Sequence, residues 1–128
     1  MSWVLPDEYE NEERFQERFQ EQLKKEKDEA SKILMGSGLV EKIVFTNCMI
    51  PLQIKVVLPT GEMCYARNSR VGGDVTMWVF AEECNLAEGW PPILFEAERV
   101  SDATDYIILA QEMAVLMEQY LQWKVNPH

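Results

Sequence analysis

The segment from Ser101 to Lys124 constrains the fold more than any other. At about 100° per residue, Tyr106, Ile107, Leu109, Ala110, Met113, Ala114, Leu116, Met117, Tyr120 and Leu121 share about half of a helical circle. A helix with so broad an apolar face needs a sheet beneath it. Ile108 and Val115 fall together on the far side, among Gln111, Glu112, Glu118, Gln119 and Gln122. This second apolar patch predicts a further contact, with another helix, a second copy or a different protein. Ser101 or Asp102 is positioned to cap the helix and Asn126-Pro127 to end it.

The sheet is written in residues 42–100. Lys42 to Cys48 reads as a short strand with Ile43 and Phe45 on one face. From Leu52 to Leu58 the alternation is strict, with Leu52, Ile54, Val56 and Leu58 against Gln53 and Lys55. Pro59-Thr60-Gly61 is turn chemistry, and Glu62 to Arg67 is the return strand. Asn68 to Gly73 reads as a second turn. Asp74 to Ala81 is a further strand, with Val75, Met77 and Val79 opposed to Trp78 and Phe80; apolar residues on both faces predict cover on both sides. Glu82 to Gly89 suits one helical turn or a loop. After Pro91-Pro92, Ile93 to Val100 reads as a last strand with Glu96 and Glu98 on the face of Leu94.

Residues 7–35 have helical periodicity. Pro6 suits a first turn, Asp7 and Glu8 complement the positive end of the helix dipole, and Gly36 and Gly38 form a stop. The apolar stripe is narrow and interrupted: Phe15, Phe19 and Leu23 form one patch, Ala30, Ile33 and Leu34 another, with Glu26 between them. The near-duplicate ERFQERFQ steps by four residues and drifts around the helix, so it is no heptad seam. The expected architecture is α+β: a long N-terminal helix, a four- to five-stranded, mainly antiparallel sheet and a long C-terminal helix packed on it, in one domain spanning 1–128. Both helices are expected on one face of the sheet.

Charge narrows the choice of partner. Acidic residues outnumber basic ones 22 to 12, for a formal charge of −10. Residues 1–30 hold ten acids and five bases, so half of the excess lies in under a quarter of the chain. Such a surface repels phosphate backbones and anionic lipid and attracts basic proteins. No stretch has transmembrane length, and MSWVLPDEYE lacks the basic flank and apolar run of a secretory signal. Cys48, Cys64 and Cys84 are odd in number and widely spaced, as in a reducing compartment, and a cytoplasmic location is expected.

Catalytic signatures are lacking. The single histidine is His128, which leaves Ser-His and Cys-His pairs and histidine-containing metal sites without a candidate. No phosphate-binding glycine motif precedes a helix; Gly36-Ser37-Gly38 follows one, and Gly72-Gly73 suits a hairpin. Glu82, Glu83, Glu96 and Glu98 surround a strand bearing Trp78, an arrangement that a hydrolase dyad or divalent-metal site uses but that a solvated sheet face also shows. Arg67 and Arg70 form a basic pair at the turn, suited to a carboxylate or a phosphate. Trp3, Tyr9, Trp90 and Trp123 lie near element ends, as interface anchors or core caps.

The expected function is that of a non-enzymatic acidic protein-binding factor (an inhibitor, adaptor or small chaperone) without cofactor or metal. Glu12, Glu13, Glu17 and Glu21 would face lysines or arginines of a basic partner, with Phe15, Phe19 and Leu23 as apolar anchors. Ile108 and Val115 would join two copies. One alternative is a nucleic-acid mimic that blocks a nuclease or DNA-binding enzyme, though Arg14, Arg18, Lys24, Lys25 and Lys27 interrupt its acidic face. Another is a small enzyme or ligand-binding domain with a cavity between the sheet and the last helix, worked by Glu82, Glu96 or Glu98.

Overall fold

The computed structural model describes residues 6–36, 38, 40–45, 52–69 and 73–126, with side chains from Arg14 onward, Phe15 excepted. The elements are α1 (Pro6–Met35), β1 (Lys42–Phe45), β2 (Gln53–Val57), β3 (Met63–Asn68), β4 (Val75–Phe80), a 3₁₀ turn (Leu86–Glu88), β5 (Phe95–Arg99) and α2 (Tyr106–Val125). The strands form one antiparallel meander in the order β1-β2-β3-β4-β5. The α+β architecture expected from residue periodicity is the one observed.

Each strand forms where side chains alternate, and the register aligns the alternation across the sheet. Ile43, Val56, Cys64, Val79 and Phe95 make one cross-strand row; Ile54, Ala66, Met77 and Ala97 make the next on the same face. These residues meet the broad face of α2, whose Leu109, Ala110, Met113 and Leu116 are fully buried. Burial of each large aliphatic side chain contributes about 1.5–3 kcal/mol, which makes this layer the main source of stability. α1 lies beside α2, with Ala30 and Leu34 buried in the same core and Leu23 and Ile33 packed on it. It stops where the glycines predict: the Gly36 N–H donates to Lys32 O at 2.9 Å, and Gly38 adopts φ +70.

The start of α2 differs from the expected one. Asp105, rather than Ser101 or Asp102, is the cap, accepting from the Ile108 N–H at 2.8 Å. Residues 101–103 are held as a non-helical strap on the β3–β4 hairpin instead. Ser101 N–H donates to Asp74 Oδ1 at 3.0 Å, Ala103 N–H to Gly73 O at 3.1 Å, and Asn68 Nδ2 to Ala103 O at 2.8 Å. Gly73 is required here: its φ is +74, and a Cβ would come within 2.9 Å of Ala103 N. Glu26 of α1 adds a second acceptor at the same helix end, taking the Tyr106 N–H at 3.4 Å. Thus the charge that splits the α1 stripe caps the neighbouring helix, where a carboxylate is favoured by the dipole.

A second, smaller core covers part of the opposite face of the sheet. Met63, Tyr65, Trp78 and Phe80 are buried there under Cys84 and Leu86. Trp90 closes this cluster edge-on, with ring centroids 5.1 Å from Trp78 and 5.6 Å from Phe80. β4 therefore has cover on both faces, as its sequence predicts. At one end of the sheet Glu62 is buried, 8% exposed, and accepts from Thr60 Oγ1 at 2.7 Å and from Tyr120 Oη and Lys124 Nζ of α2.

Candidate functional site

The residues proposed from sequence fall in three places. On α1, every described side chain from Arg14 to Gln22 is exposed, Glu17, Glu21 and Phe19 among them, with Phe19 at 39%. Leu23 packs on the core, so the fold itself uses one end of the expected Phe15, Phe19 and Leu23 patch. Glu12, Glu13 and Phe15 belong to the helix, but their side chains lie outside the described set, as does that of Tyr9. On α2, Val115 is 36% exposed, whereas Ile108 is half-buried against the core. Near these two, Glu112 is paired with Arg99 of β5. Trp123 packs on Phe95 and Tyr120 at 5.4 and 6.1 Å. Trp3, Cys48, Arg70, Gly72 and His128 lie outside the described residues.

The third place is the sheet face away from α2, where Glu96 and Glu98 project. They border an open groove of about 640 Å3 on that face rather than a space under the last helix. Its walls include Gln53, Arg67, Thr76 and Trp78. A smaller depression of about 370 Å3 shares Gln53 and Arg67 and extends to Lys55 and Trp90. Strand register arranges the charges. Gln53, Arg67, Thr76 and Glu98 form one cross-strand row, and Lys55, Tyr65, Trp78 and Glu96 the next. Both rows have their cation on β2 or β3 and their anion on β5.

Arg67 is held in place by aromatic neighbours. Its guanidinium carbon lies 5.0 Å from the Trp78 ring centroid, and Trp78 stacks on Tyr65 at 5.7 Å with 25° between planes. A guanidinium over an indole at an exposed site gains about 0.5–1 kcal/mol. Burial raises the pKa of the Tyr65 phenol, an effect reduced by the charge of Arg67 and its hydrogen bond. Among the described residues, no carboxylate lies within 4.0 Å of a guanidinium nitrogen of Arg67, and Glu96 and Glu98 are likewise without an ion pair. Of the other proposed acids, Glu83 pairs with Lys42 at 2.8 Å, and Glu82 is exposed beside it.

Burial, with the nearby Glu62 carboxylate, pushes the Cys64 thiol up to about 12, so it stays protonated at neutral pH. Burial also acts to raise Glu62, but donors from Lys124, Tyr120 and Thr60 outweigh it and hold the carboxyl below its ordinary value. Tyr120 is pushed upward by burial and by donating to Glu62. Among the described residues, no three Cys, His, Asp or Glu side chains converge as metal ligands, and no helix is long and apolar enough to cross a membrane. No family model matches the chain, nor does any curated protein or solved structure.

Proposed function

We propose that the protein is a non-enzymatic binding factor, an inhibitor, adaptor or small chaperone, that docks a basic partner protein through the acidic first half of α1. The observation that carries this reading is the division of α1. Among the described side chains of α1, packing on the domain begins at Leu23, and those from Arg14 to Gln22 are in solvent. Residues 6–22 hold seven acids and two bases. Glu12, Glu13, Glu17 and Glu21 steer encounter with lysines or arginines, and Phe15 and Phe19 supply the desolvated anchors. A 30-residue helix is about 45 Å long, enough to present a free half to another molecule. The same charge argues against direct contact with nucleic acid. The free thiols Cys64 and Cys84 are consistent with residence in the cytoplasm. Ile108 and Val115 are the residues proposed for pairing of two copies.

The test is capture from the native host with wild-type chain, Phe15→Ala/Phe19→Ala and Glu17→Lys/Glu21→Lys. A basic protein retained by the wild type and lost by both variants, at unchanged melting temperature, is the expected result. An identical set of captured proteins for all three rejects the reading. Sedimentation of Val115→Glu beside wild type tests the pairing: a dimer is expected for wild type and a monomer for the variant.

A further inference from the structure

The groove on the open sheet face carries an inference independent of α1. In a chain with ten net negative charges Arg67 has no described carboxylate within 4.0 Å, although Glu98 lies two strands away in the same row. Strands lie about 4.8 Å apart, so the two backbones are separated by about 10 Å. Arg67 leans over Trp78 instead of crossing that gap. Its guanidinium has five N–H donors, most of them without a described acceptor. On the other side stand Glu96 and Glu98, exposed acceptors with no described cation. Thr76 and Trp78 line the groove between them.

We infer that this groove binds a small zwitterion, of amino-acid or dipeptide size, with its carboxylate on Arg67 and its ammonium group between Glu96 and Glu98. A purely anionic ligand meets repulsion from Glu96, Glu98 and Asp74, which also lines the groove, and a purely cationic one leaves the donors of Arg67 unmet. A molecule with both charges satisfies both banks at once, and a bidentate carboxylate fits the planar fork of a guanidinium. Binding displaces water from charges that the fold leaves apart and breaks no existing ion pair of either bank. The groove volume of about 640 Å3 falls within the range of small-molecule sites.

The experiment is calorimetric and NMR titration of the full chain with the common α-amino acids and glycylglycine, each beside its N-acetyl and amide derivative. Saturable binding is expected for at least one zwitterion, with amide shifts at Arg67, Thr76 and Glu98. Either blocking group should weaken it about tenfold or more, as for loss of one charge-assisted contact. N-acetylation should cost the Glu96→Gln/Glu98→Gln variant far less than it costs wild type, and amidation should cost Arg67→Gln far less. The inference falls if no zwitterion moves those amides, or if the blocked forms bind equally well. It also falls if the chain sediments as a dimer that Arg67→Gln dissolves, which assigns the groove to a second copy. None of these results depends on α1, so they separate from a failure of the docking reading.

Discussion

Glu62 shows how single residues join distant parts of the chain. Its carboxylate accepts from Thr60 in its own turn and from Tyr120 and Lys124, 58 and 62 positions away. The folded carboxyl titrates below its ordinary value of 4.5, so the folded state holds fewer protons than the unfolded one near that pH. The resulting stabilisation is complete above about 4.5 and disappears as pH falls through the lower folded value. Urea unfolding of wild type and Glu62→Gln across the acid range should therefore show the variant less stable at neutral pH, with the gap narrowing toward low pH. A gap that does not change with pH contradicts this account. This network was not legible beforehand, because nothing local in Glu62-Met63-Cys64 marks a carboxylate destined for the end of the last helix.

At the scale of elements, α1 combines two physically different halves. Isolated helices gain little from propensity alone, and most helical stability in proteins comes from tertiary packing of one face. Amide hydrogen exchange should therefore be fast over residues 6–22 and slow over residues 23–35, where Ala30 and Leu34 are buried. Equal protection of both halves would mean that the first is covered. The strands and the broad face of α2 were legible in sequence because side-chain period alone sets which residues point inward: Leu109, Met113 and Leu116 could hardly face elsewhere. The start of α2 was not. Ser101 and Asp102 are good caps, but the hydrogen bonds of Ser101 to Asp74 and of Ala103 to Gly73 and Asn68 hold that stretch out of the helix. The groove was half legible. Parity in each strand placed Glu96 and Glu98 on one face, whereas their alignment with Arg67 and Lys55 arises from register, which two turns and a long connection determine.

For the whole molecule, the charge imbalance acts against compactness. Ten net negative charges repel one another, and the screening length shrinks from about 30 Å in dilute buffer to about 8 Å at physiological salt. The melting temperature should rise as sodium chloride is added across that range, and a scanning calorimeter can follow it. A fall would mean that attractive pairs such as Lys42–Glu83 and Arg99–Glu112 outweigh the net repulsion. The meander also has a consequence for biogenesis. The five strands precede α2 in chain order, yet the row from Ile43 through Val79 to Phe95 is sheltered only once that helix arrives. During translation the nascent sheet must pass through the ribosome's vicinity with one greasy side bare. A message truncated before Tyr106 would therefore yield a sticky, client-like product that chaperones and proteases clear.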